Sequence, residues 1–138
     1  MNRTIKFRGK CSPQSKYKGE WVTGSLVVPE QIKDNEVLII SSHSDGCQST
    51  YHVDKDTVGQ LTGQQDMNGK EIYEGDILKN SSTPDLYAVV EWNDAIDAMC
   101  IRFKDDEHCG CSTVGEMLTV LDMIVVGNIY DNPELIKN

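Results

Sequence analysis

The chain has 138 residues, 38% of them hydrophobic and 25% charged, with a formal charge of −9 from 22 acidic and 13 basic side chains. That length corresponds to one ordinary domain or two very small ones, and the apolar share excludes a disordered chain. The acidic surplus repels phosphate backbones unless the basic residues gather on one face, so nucleic acid is a disfavoured partner, and no apolar run reaches the roughly 20 residues of a membrane-spanning helix.

Short apolar runs with period two recur along the chain, separated by Gly, Asn, Asp and Pro, which is an all-β pattern with almost no helical periodicity. In the first run Ile5 and Phe7 alternate with Lys6 and Arg8. Arg3, Lys6 and Arg8, with Lys10, Lys16 and Lys18 after them, read either as a local binding patch or, more economically, as a guarded edge strand. Residues 1–10 lack the apolar centre of a signal peptide, so the expectation is a protein that stays where it is made. Trp21 opens the next run, 21–28, just after Gly19-Glu20. An exposed Trp there is a candidate contact residue.

Runs at 37–41, 50–53 and 58–62 complete an N-terminal β unit, 1–62. The segment 63–69 holds Asp66, Asn68 and Gly69, residues that turn the chain and tolerate positive φ, and the main connection is placed there. A second, barrel-like β unit, 63–138, follows, and the two either stand apart or share one core. Its strands are expected at 77–79, 86–92, 99–103 and 118–130, the last broken near Asp122. Ala88, Val90 and Trp92 share one face of the 86–92 strand. Both its faces are largely apolar, which makes it central and places Trp92 in the core. Near the end, Asp131 or Asn132 caps a single helical turn that starts at Pro133, with Glu134 at its positive end.

Val53-Asp54 followed by Val58-Gly59-Gln60-Leu61 is similar to Leu121-Asp122 followed by Val126-Gly127-Asn128-Ile129. Two related β units, or the chance recurrence of common strand and turn residues, both account for it.

From Val58-Gly59-Gln60-Leu61-Thr62-Gly63 through Asp66-Met67-Asn68-Gly69-Lys70-Glu71-Ile72-Tyr73-Glu74-Gly75-Asp76-Ile77-Leu78, the chain resembles the YopX family of phage and prophage proteins. Ile5-Lys6-Phe7-Arg8, the segment from Gly19 to Leu26, Val90-Glu91-Trp92-Asn93, and Val126-Gly127-Asn128-Ile129-Tyr130 with the residues to Leu135 fit the same family in order. The likeness is weakest over 29–49 and 104–115. It implies a small, mainly β product of a mobile genetic element, and brings no catalytic residue with it. A Gly75-Asp76 step before a strand, with further strands leading to a terminal single turn, is similar to the layout of small SH3-like barrels, so an SH3-like barrel is expected for the C-terminal half.

Candidate chemistry is sparse. Five cysteines, an odd number, suit reduced thiols in the cytoplasm of a bacterial host cell better than a disulfide framework. His43, Cys47 and His52 form one loose cluster, and His108, Cys109 and Cys111 a tighter one. Zinc takes such ligands, yet the spacings match no finger or ribbon, and incidental residues of surface loops are the simpler reading. Cys109-Gly110-Cys111 would close a strained redox ring. Ser42, His43 and Asp45 are neighbours that diverge, whereas a hydrolytic triad assembles from distant positions. Asp94, Asp97, Asp105, Asp106 and Glu107 read as a solvated hairpin rim before they read as a divalent-cation site. Phosphate-loop, dinucleotide, nucleophile-elbow and paired-His zinc motifs are missing, so no catalytic residue, metal or cofactor is expected.

The expected role is therefore a non-catalytic module that binds itself or a phage or host protein, with no membrane contact and with Trp21, Arg3, Lys6 and Arg8 as candidate binding residues. A nucleic-acid-associated or DNA-mimicking regulator is the alternative, and a small metal-dependent hydrolase built on the His and Cys clusters comes third.

Overall fold

The alternating pattern is expressed as ten strands among the described residues of the computed structural model, which are 4–83, 85–104 and 112–137. By its internal contacts the chain divides into two units, Met1–Leu61 and Thr62–Asn138.

In the first unit, β1 (Phe7–Lys10), β2 (Trp21–Val27), β3 (Glu36–Ser42) and β4 (Gln48–Asp54) form an antiparallel meander, and β5 (Gly59–Gln65) returns beside β1. Along β2 the residues Thr23, Ser25 and Val27 are exposed while Val22, Gly24 and Leu26 are covered, the two-residue period seen in the sequence. The core holds Cys11, Val37, Ile39 and Val53, with Phe7, Val22, Leu26, Tyr51 and Val58 against it. Gly24 is required where it stands: φ is +158°, and a Cβ would lie 2.1 Å from the Ile40 carbonyl oxygen of β3. An isolated bridge, Cys11 to Val53, and the Ser12 N–H donated to the His52 carbonyl at 3.0 Å occupy part of the outer side of β4. A 3-10 turn, Lys55–Thr57, links β4 to β5. Asp54 caps that turn by accepting from the Asp56 N–H.

In the second unit β5 runs on beside β6 (Glu71–Tyr73), and the Thr62 hydroxyl donates to the Ile72 carbonyl at 2.7 Å. A four-stranded antiparallel sheet follows, built from β7 (Asp76–Asn80), β8 (Tyr87–Asn93), β9 (Ala98–Phe103) and β10 (Met123–Asn128) in the order β10-β7-β8-β9. One helix, α1 (Val114–Val120), packs on β9. The core of this unit joins Ile72, Leu78, Ala88, Val90, Ile101, Val114 and Met123.

The fold is mainly β, as the alternation requires. Three expectations need correction. First, neither unit is a closed barrel among the described residues: the second is a four-stranded antiparallel sheet in the order β10-β7-β8-β9 with a helix on β9. A terminal single turn is too generic a feature to imply closure. Second, residues 118–120 belong to α1 and not to a strand. Val114, Met117, Leu118 and Leu121 stand at i, i+3, i+4 and i+7 and pack on the core, and the Thr113 hydroxyl caps the helix by accepting from the Glu116 N–H at 3.1 Å. Third, Trp92 does share a face with Val90 but is 45% exposed, because the fully buried pair on that face is Val90 opposite Ile101, and Trp92 lies one step closer to the hairpin tip, opposite the partly buried Met99. The two similar segments, for which repeat and chance both stood open, are not structurally equivalent. Gly59 opens β5 after the 3-10 turn, whereas Gly127 sits inside β10 at a register shift against β7. The turn at Pro133–Leu135 forms, with Asn132 in the cap position but no capping bond from its side chain.

Candidate functional site

Pairing of β1 with β2 brings two of the predicted binding residues together. Lys10 lies opposite Trp21 and Arg8 opposite Thr23, and the Arg8 guanidinium sits 4.8 Å from the centre of the Trp21 ring, within the range of a cation–π contact. Lys6 borders a shallow depression of about 370 Å³ with Thr23, Ser25, Ile40 and Ser42. Arg3 lies outside the described residues.

The proposed ligands of the first cysteine and histidine cluster are not brought together. His43 Nε2 is 2.7 Å from the Ser49 hydroxyl, Cys47 is an exposed free thiol in the same hairpin, and His52 Nδ1 is 3.0 Å from Glu36 Oε2. His52 points to the opposite side of β4 from Ser49, because the two stand three positions apart in an alternating strand. Among the described residues no three His, Cys, Asp or Glu side chains are placed to hold a metal ion. His108, Cys109 and Cys111 lie outside the described residues, as do Asp105, Asp106 and Glu107.

One polar cluster was missed in the sequence because its members are far apart in the chain. The Ser12 hydroxyl, itself 1% exposed, donates to Glu36 Oε1 at 2.9 Å while His52 holds Oε2. Gln14 and Ser15 complete a dip of about 230 Å³ beside Glu36 and His52. The carboxylate stands between serine and imidazole, so the serine proton points to Glu36 and not to the imidazole. That order differs from a nucleophilic triad, in which the imidazole is central. Nearby, burial, reinforced by the Glu20 carboxylate, pushes the Cys11 thiol above its ordinary value, with a Ser15 hydrogen bond acting the other way. A raised thiol is a poor nucleophile at neutral pH.

The residues that carry the family likeness are occupied with backbone. Asp66 Oδ1 accepts from the N–H of Asn68 and of Lys70, both at 2.9 Å, and Oδ2 accepts from the Val125 N–H of β10 at 3.0 Å. Burial alone would raise this carboxyl, but those three donors and the Lys70 ammonium outweigh it and hold the pKa below its ordinary value of 3.8. Asp76 Oδ2 takes the Tyr73 N–H at 2.8 Å, and Asn128 Oδ1 takes those of Tyr130 and Asp131. A Cβ on Gly127 would lie 2.3 Å from Asn132 Oδ1, which accepts from the Asn128 N–H at 3.3 Å. These polar side chains form turns and a bulge.

What remains is an apolar surface. Leu26, Val28, Ile32, Val37, Lys55 and Val58 line a groove of about 260 Å³ in the first unit, and of these Val28 and Ile32 are 58% and 39% exposed. The sequence reading did not find it, since the run at 21–28 was taken as strand and the residues after it had no pattern.

A family model described as YopX protein matches residues 6–137, nearly the whole chain. No curated protein matches. Among solved structures, the crystal structure of protein EF1440 from Enterococcus faecalis is similar with a TM-score of 0.56 and 21% identity, over 99% of this chain and 100% of that one. At that identity the likeness is one of fold.

Proposed function

The chain belongs to the YopX protein family, and from that premise we propose that it is a phage or prophage accessory protein of the host cytoplasm, acting without catalysis by binding a second copy of itself. The observation that carries this reading is the aliphatic groove of the first unit, with Val28 and Ile32 exposed in its wall. Single surface aliphatics are ordinary, whereas several around one concavity make a surface whose withdrawal from water drives association.

Addition at the edges of β4 and β10 is less available. The Cys11 to Val53 bridge takes part of the outer side of β4, and on β10 the Val125 N–H goes to Asp66 while the Gly75 carbonyl accepts from the Ile129 N–H just beyond the strand. The groove also suits its own copy. Lys55 lines it, and the sequence neighbours of its lining residues carry both signs, Lys33 beside Asp34 and Lys55 between Asp54 and Asp56. A two-fold arrangement sets aliphatic against aliphatic and lets lysine face aspartate.

Sedimentation over a concentration series tests the reading. A dimer is expected, and Val28→Asp should weaken it tenfold or more, because burying a valine contributes about 1.5–3 kcal/mol. A chain that stays monomeric at high concentration overturns self-association.

A further inference from the structure

Asn68 is the only asparagine of this chain followed by glycine. Gly69 has no Cβ to shield its amide nitrogen from the side chain before it, and both residues are exposed to water. We propose that Asn68 is a site of spontaneous deamidation through a cyclic imide with Gly69, and that the turn built on Asp66 sets its rate and suffers its consequence.

The chemistry needs only solvent. The Gly69 amide gives its proton to a solvent base, and its nitrogen attacks Cγ of Asn68. The new C–N bond closes the imide while the Cγ–Nδ2 bond breaks and ammonia leaves. Water then adds to one of the two imide carbonyls. The product is either aspartate or an isoaspartate in which the side-chain carbon has entered the main chain.

The folded turn restrains the first step. The Gly69 N–H donates to the Asp66 carbonyl at 3.0 Å, the N–H groups of Asn68 and Lys70 both reach Asp66 Oδ1, and the Asp66 N–H donates to the Lys70 carbonyl at 2.8 Å. With its proton engaged and its torsions fixed, the nucleophile waits for local opening of the turn. These bonds also define the damage. An isoaspartate adds a main-chain carbon between two amides that share one carboxylate oxygen, so both bonds cannot persist. Either product sets a new carboxylate beside Asp66, whose other oxygen holds Val125 of β10. Modification therefore loosens the attachment of β10.

The full chain, incubated at mildly alkaline pH and digested with trypsin, gives a peptide covering 56–70 that mass spectrometry can follow. Exchange of NH₂ for OH is expected at Asn68 in aspartate and isoaspartate forms, while Asn93 and Asn128 stay intact. The rate should rise severalfold in urea and in Asp66→Ala. The modified fraction, separated by charge, should unfold at lower urea than the unmodified protein. No preference for Asn68 overturns the site, an equal rate in native and unfolded chains overturns the control by the turn, and an unshifted urea midpoint overturns the loosening of β10.

Discussion

The two units hold their strands by different means. In the first, order comes from long hairpin ladders: β3 and β4 pair continuously from Glu36 with Asp54 to Ser42 with Gln48, over a small core of Cys11, Val37, Ile39 and Val53. In the second, β8 and β9 also pair continuously, but β6 has three residues and β10 is shifted in register against β7, and there buried acceptors take over backbone donors that a ladder would otherwise use. Asp66 holds Asn68, Lys70 and Val125, and Asp76 holds Tyr73. A ladder spreads its strength over many equivalent bonds, whereas an anchor concentrates it in one side chain. The difference explains why Asp, Asn and Gly in the second unit look like a functional motif although their hydrogen bonds go to main chain.

The largest test of that contrast is Asp66→Ala, which leaves three N–H groups without their charged acceptor. A loss of about 3–5 kcal/mol in urea unfolding is expected, and a loss under about 1 kcal/mol would show that the anchor is dispensable. The same carboxylate predicts an acid response. Its folded pKa is lowered, so its contribution is present above the unfolded value of 3.8 and disappears as pH falls below that value through the folded one. The variant should lose less stability than the wild type over that acid range.

A change in the first unit should come next. Gly24→Ala forces a Cβ against the Ile40 carbonyl at a φ that side chains rarely adopt, at a cost of about 2–4 kcal/mol in the same measurement. A neutral result would mean that β2 and β3 can separate freely at that point. The smallest effect belongs to Trp92, which is 45% exposed with its indole N–H donated to Asp94 at 2.9 Å. Trp92→Ala should cost less than about 1 kcal/mol, whereas Leu78→Ala, fully buried in the same unit, should cost about 2–5 kcal/mol. Equal costs would return Trp92 to the core.

Legibility followed the range of each interaction. The strands at 21–28, 37–41, 86–92 and 99–103 could be read because period two is a local property, expressed within a few residues. The helix was also written locally, in Val114, Met117, Leu118 and Leu121 behind Thr113, but it is short and abuts an apolar strand, so 118–130 looked continuous. The three-residue β6 is too brief for any period to register. The candidate surface was less readable. Trp21 and Arg8 are thirteen positions apart in the chain and meet only through the pairing of β1 with β2, and Ser12, Glu36 and His52 meet only across three separate segments.

By itself the amino-acid sequence determined the mainly β character, the turns at Asn68-Gly69 and Pro133, and membership of the family, because alternation, turn chemistry and ordered motifs are carried by neighbours in the chain. Tertiary structure decided which of those residues are buried. It left Trp92 beyond the end of the core, turned the Asp66 carboxylate inward to the backbone of β10, and set Leu26, Val28, Ile32 and Val58 around one groove. The physical reason is that burial and hydrogen-bond partnership depend on segments dozens of residues away, which no local pattern records.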